Sequence, residues 1–194
     1  MSELISTQNL YKNLKDKNLV IFDCSWFMPA ENKNPKKNYK KNHIEGAYFF
    51  DIEANSNQEK KLPHMVPKFE FFKKKISNYN IHSKSKIVAY SNENIMGASR
   101  VWWMFKYFGF KNIYVLNGGL NKWIKENKPT TMSKSLNFKS SFNFKIDKTW
   151  LSSKNQILKN INNPEYLILD ARNTNRFNGT ESEPRKGLRS GRIP

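Results

Sequence analysis

The chain has 194 residues and a mass of 22.9 kDa, room for one ordinary domain with a remainder or for two small domains. Its 38% hydrophobic and 14% aromatic content is enough to enclose a core, which excludes wholesale disorder. The net charge of +18 comes almost wholly from lysine interspersed with asparagine, as in residues 31–42 (ENKNPKKNYKKN); this reads as an exposed surface rather than a guanidinium-lined groove for phosphates, and specific nucleic-acid binding is not expected.

Taken in order, Ser6 and Thr7 precede Leu10, Tyr11 and Leu14, the signature of a short capped amphipathic helix. Leu19–Phe22 is a compact apolar run ending at Asp23, as in a strand buried on both faces. A lysine-rich loop is expected to about Asn42, then a strand at Ala47–Phe50. Val66-Pro67 opens a helix over Lys68–Tyr79 with Phe69, Phe72 and Ile76 on one face. Lys86–Tyr90 reads as a strand, Ser91–Gly97 as a loop, Ala98–Phe108 as a helix and Tyr114–Leu116 as a strand. Gly118-Gly119 then turns the chain into a helix over Leu120–Glu126. Strands alternating with helices predict an α/β fold around a mainly parallel sheet flanked by helices.

The pattern weakens over residues 128–147, expected as a linker, and the chain then begins again. Trp150, Leu151, Ile157, Leu158 and Ile161 predict a helix, and Tyr166–Leu169 a strand ending at Asp170. Ile21-Phe22-Asp23 returns as Ile168-Leu169-Asp170 about 147 positions later, and His43-Ile44 as Arg192-Ile193. The organisation expected is a complete unit over 1–127, a linker over 128–147 and the N-terminal part of a second copy over 148–194. That incomplete copy is too short to enclose a core, so its strand must rest on the first unit or stay poorly ordered, and the chain reads as a fragment.

Cys24 is the single cysteine, which excludes an internal disulfide and a multi-thiolate metal site and suits a reducing compartment. Asp23 and Arg100 interrupt the longest apolar stretches, and Met1-Ser2-Glu3 opens no secretory signal. A cytoplasmic protein without membrane contact is expected. His43, His64 and His82 lack ligand spacing, so neither metal nor cofactor is expected; turn-stabilising hydrogen bonds are the reading for His43 and His64. Trp102, Trp103, Met104 and Phe105 cover more than one helix face and read as packing residues.

Several ordered motifs accompany this pattern: DCSWFMP at Asp23–Pro29, HIEGAYFFDIE at His43–Glu53, LPHMVP at Leu62–Pro67, ASRVWWMFKYFG at Ala98–Gly109 and VLNGGLNKW at Val115–Trp123. LDARNTNRFNGTESEPRKGLRSGRIP follows from Leu169 to the end. Together they resemble the two-domain sulfurtransferases, the rhodanese and 3-mercaptopyruvate sulfurtransferase family. The resemblance implies two tandem rhodanese-like α/β domains, the second of which transfers sulfur from an anionic donor to a thiol or cyanide acceptor through a cysteine persulfide. Such chemistry needs a thiolate stabilised by converging backbone N–H groups near a helix N-terminus, with arginines to hold the donor.

In the first unit that loop is SNENIMGAS, where Ser91 stands near the nucleophile's position and cannot form a persulfide. The loop of the second unit would begin about 44 positions beyond Pro194. No catalytic residue is therefore assigned in this chain, and Cys24 is read as a buried apolar residue. By the resemblance Arg176 and Arg185 bind the substrate's carboxylate and carbonyl, Arg185 after Glu183-Pro184 favouring mercaptopyruvate over thiosulfate; the alternative is surface pairing with Glu181 or Glu183. Arg192 stands where the family usually has His. The partners implied are a small anionic sulfur donor, a thiol acceptor and a missing C-terminal half. The alternative function is a non-catalytic rhodanese-like binding module or half of a split protein.

Overall fold

A computed structural model describes residues 3–59, 62–184 and 187–194. The chain forms two compact units, Met1–Trp150 and Leu151–Pro194. The first is built on a five-stranded sheet of β1 (Leu4–Ile5), β2 (Leu19–Asp23), β4 (Ala47–Phe49), β5 (Lys86–Tyr90) and β6 (Ile113–Leu116). Their spatial order is β1-β6-β5-β2-β4 and every pairing is parallel. A small antiparallel pair joins β3 (His43–Ile44) to β7 (Thr130–Thr131).

Both faces of the sheet are covered, and this is why its strands read as unbroken apolar runs. Successive side chains point to opposite faces. Val20, Phe22, Ile87, Ala89, Ile113 and Val115 therefore join one core with α3 (Phe69–Lys75) and α4 (Met96–Tyr107). Ile21, Val88, Tyr90 and Leu116 join the other with α1 (Thr7–Lys12) and α5 (Gly119–Lys125), through Leu10, Leu120 and Trp123. Phe22 carries the first core: its ring lies 5.4 Å from Phe50, 5.1 Å from Tyr79 and 5.7 Å from Phe105.

Where the structure departs from the expected elements, a local cause is visible. The lysine-rich loop contains α2 (Pro35–Lys41), started by Asn34, whose side chain accepts from the Lys37 N–H at 2.9 Å, and by Pro35 in the first turn. Residues 128–147 run along the first unit as a strap rather than a free tether. Ser140 and Ser141 donate backbone N–H groups to the Ser77 and Ile81 carbonyls at 2.7 Å, and Phe142, Phe144 and Ile146 pack on the core. Trp150, expected to start a helix, ends a 3-10 turn over Lys148–Trp150. Its ring meets Trp102 at 5.3 Å, and its carbonyl accepts from Trp103 Nε1 at 2.8 Å.

In the second unit, α6 (Lys154–Asn162) begins at a capping box of Ser153 and Gln156. A further short helix, α7 (Thr174–Asn178), starts at Asn173 and stops at Gly179. The expected strand Tyr166–Leu169 is not a strand: it has no ladder among the described residues, and Leu167 and Leu169 are 90% and 88% exposed. A strand exists only through its partner, and this segment finds none.

At the end of β2, Asp23 is buried, accepting from the Ser25 N–H at 2.9 Å and from the Tyr90 hydroxyl, which itself accepts from the Ile44 N–H at 3.2 Å. Burial pushes its pKa up, against the lowering effect of the Ser25 and Tyr90 hydrogen bonds and of the charge of His43. The folded value lies above the unfolded one, so Asp23 stabilises the fold fully below the unfolded pKa of about 4 and this contribution is lost as pH rises through the folded value. Asp23→Asn keeps an acceptor for both donors and cannot ionise. Urea unfolding of the two proteins from pH 4 to pH 8 is expected to show the variant gaining stability relative to the parent as pH rises.

Candidate functional site

In an open parallel sheet, ligands collect where strands end in loops that enter helices. In the first unit this place is the loop after β5, residues 91–95, ahead of α4. Its shape is fixed by close backbone approaches. Gly97 lies so near the carbonyl of Cys24 that a Cβ there would sit 1.8 Å from the oxygen. Gly119, at φ +55°, would carry a Cβ 2.3 Å from the Ser91 carbonyl, which accepts from the Leu120 N–H at 3.1 Å. Glycine alone fits both positions.

Ser91 is buried, and its Oγ accepts from the Ala98 N–H at 2.9 Å. Asn92 N–H donates to Ser25 Oγ at 2.9 Å. The Ser91 hydroxyl thus anchors the first turn of α4. The cleft over this loop holds about 160 Å³ between residues 91–95 and Gly118-Gly119, too little for the 300–1,000 Å³ typical of small-molecule sites.

Cys24 is fully buried, and its Sγ donates to the Phe22 carbonyl at 3.6 Å. Burial first, and the Asp23 charge second, push the thiol well above its ordinary pKa, so the thiolate needed for sulfur chemistry is suppressed. His43 is also buried, with Nδ1 2.7 Å from the Tyr39 carbonyl and Nε2 3.1 Å from that of Ser133. His64 Nε2 lies 2.6 Å from Glu53 Oε1, and Glu53 also accepts from Trp26 Nε1 at 2.9 Å.

In the second unit Arg176 lies on α7, where Asn173 Oδ1 accepts from its backbone N–H at 2.8 Å. Its guanidinium is paired with Glu183 at 2.6 Å, and its Nε is buried without a partner among the described residues. Arg185 lies outside the described residues. The organising cation is Arg172, which sequence reasoning did not single out. It bridges Asp170 at 2.6 Å and Glu183 at 2.7 Å and donates to the Gly191 carbonyl at 2.8 Å. The signal available was Ala171-Arg172 directly after Ile168-Leu169-Asp170, the echo of Ile21-Phe22-Asp23. The Arg172 hydrogen bonds hold Asp170 down to about 2. Arg172, Arg189 and Arg192 line a cleft of about 810 Å³ together with Asp170, and Arg172 is already paired with Asp170 and Glu183.

Native Cys24 is expected to react with a disulfide reagent about a hundredfold or more slowly than in urea, because attack requires opening the core. A thiol assay in both conditions checks this.

Residues 6–126 match the model of the rhodanese-like domain. The chain is 36% identical over 98% of its length to thiosulfate/3-mercaptopyruvate sulfurtransferase 1, mitochondrial, of Arabidopsis thaliana, covering 56% of that protein. It is 33% identical over 91% of its length to human 3-mercaptopyruvate sulfurtransferase, covering 60% of it. The crystal structure of SseA from Escherichia coli, a 3-mercaptopyruvate sulfotransferase, superposes with a TM-score of 0.86 at 26% identity over 100% of this chain and 79% of that one. The chain spans between 56% and 66% of the length of the curated relatives it matches. With a parallel α/β sheet, a glycine-pinched loop after β5 and these likenesses, the chain belongs to the rhodanese-like family and is homologous to its 3-mercaptopyruvate and thiosulfate sulfurtransferases.

Proposed function

We propose that this chain is the N-terminal portion of a two-domain sulfurtransferase that carries sulfur from 3-mercaptopyruvate or thiosulfate to a thiol or cyanide acceptor through a cysteine persulfide. In this reading residues 1–127 form the inactive-type domain, 128–147 the connecting strap and 148–194 the start of the catalytic domain. The observation that carries it is the state of Cys24. The only thiol of the chain is buried and held protonated, while the homologues are sulfurtransferases of which the chain covers 56% and 60%. Transfer therefore needs a thiol that these 194 residues do not supply. The single cysteine fits a reducing compartment, and we place the protein in the cytoplasm. No helix among the described residues is long and apolar enough to cross a membrane.

Arg176 and Arg185 are assigned to the substrate's carboxylate and carbonyl. Support for Arg176 comes from its buried, unpartnered Nε, a donor left over after the Glu183 pair is made. A second reading, half of a split protein or a binding module, is favoured by the exposed Leu167 and Leu169 beside Asp170. Unpaired extended backbone with apolar side chains is a template for strands supplied by another chain.

The purified chain with mercaptopyruvate or thiosulfate and cyanide is expected to form thiocyanate no faster than buffer. Turnover that disappears in Cys24→Ser would make Cys24 the carrier and overturn the proposal. Addition of a separately made C-terminal half that restores turnover would establish the split form. In the protein so completed, Arg176→Lys is expected to raise KM for mercaptopyruvate about tenfold with a smaller change in kcat, since lysine cannot reproduce the forked donors; steady-state kinetics measure the split.

A further inference from the structure

The first unit contains a second and larger cleft, about 660 Å³, between α2, the end of β4, the turn at 51–55 and the strap. It lies away from the loop at 91–95, and its volume falls in the usual range for small-molecule sites. Three features converge on it.

The first is charge. Lys36, Lys40 and Lys134 line the cleft with exposed ammonium groups, and none of the three has an ion pair among the described residues. Lys75 joins them, its Nζ 5.1 Å from the Phe71 ring. One carboxylate, Asp51, faces these four, and its Oδ1 accepts from the Ala54 N–H at 3.0 Å. The second feature is aromatic surface. Tyr48 and Tyr79 line the wall with ring centroids 5.1 Å apart, held from behind by Phe22 at 6.1 and 5.1 Å. Tyr48 is fixed by donating to the Leu136 carbonyl at 2.6 Å, which ties the strap to this wall.

The third feature is an orphan acceptor. Asn55 is 4% exposed and lines the cleft. Its Nδ2 donates to the Asp51 carbonyl at 2.7 Å, which fixes the amide orientation, and its Oδ1 is buried with no donor among the described residues. A buried acceptor left unmade is costly, and such groups are commonly completed by a ligand or a bound water.

We infer that this cleft binds a nucleoside phosphate, with the base against Tyr48 and Tyr79, an exocyclic base amine donating to Asn55 Oδ1, and the phosphate among the lysines. An inorganic anion would use the lysines alone, and an uncharged aromatic would use the tyrosines alone. A nucleotide meets all three features in one molecule of suitable size.

Isothermal titration of the 194-residue chain with adenosine 5′-monophosphate tests this, with adenosine and inorganic phosphate as separate titrants. Saturable one-site binding of the nucleotide, at least about tenfold tighter than either fragment, is expected. Lys40→Glu with Lys134→Glu, both on exposed side chains, should weaken the nucleotide about tenfold or more and leave the unfolding midpoint in place. Purine riboside 5′-monophosphate, which lacks the exocyclic amine, should bind about tenfold more weakly because Asn55 Oδ1 stays unpaired. Absence of saturable nucleotide binding, phosphate binding as tight as the nucleotide, insensitivity to the charge reversals, or equal affinity for the purine riboside would each overturn the assignment.

Discussion

The approach of α4 to the carbonyl end of β2, with Gly97 against the Cys24 carbonyl, constrains the rest of the first unit. That contact lowers the helix onto the sheet, closes Phe105 and Val101 over Phe22 and Ile87, and draws the loop after β5 tight. Ser91 then satisfies the Ala98 N–H, and Gly119 brings α5 against the same loop from the other side. The Ser91 side chain is taken up inside this loop by the Ala98 N–H, and the Cys24 sulfur is turned into the core.

Two aspartates that end Ile-x-Asp runs, Asp23 and Asp170, lie in opposite settings. Asp23 ends a strand buried on both sides, where desolvation outweighs its hydrogen bonds and raises its pKa. Asp170 ends an unpaired segment and meets Arg172, whose hydrogen bonds lower it to about 2. Solvent around that pair weakens its stabilising effect. Ile-Phe-Asp thus serves a core network in one unit and Ile-Leu-Asp an ion-pair cluster in the other, and the difference is the presence of a sheet.

By donating backbone N–H groups to the Ser77, Ile81 and Tyr107 carbonyls and accepting from the Asn80 N–H, residues 138–147 become part of the first unit's wall. Ahead of them Lys134, Ser135 and Leu136 close one side of the cleft in which Tyr48, Tyr79 and Asn55 meet. The alternation Phe142, Phe144, Ile146 was the sequence trace of that packing, diluted by the serines and lysines around it.

The sequence by itself determined the α/β class, the positions of β2, β5, β6, α4 and α5, and the family, because strands buried on both faces demand uninterrupted apolar runs and the motifs are dense and ordered. It also identified Cys24 as a core residue from its place after β2. Local patterning left unseen α2, signalled by its Asn-Pro cap and hidden by lysines, and the pairing of β3 with β7 across many intervening residues. Tertiary structure decided which polar groups face one another: the Asp23–Tyr90–Ile44 link, the Arg172–Glu183–Arg176 cluster and the orphaned Asn55 Oδ1. Those depend on distances between segments remote in sequence, and a strand-like segment such as 166–169 becomes a strand only where another edge meets it.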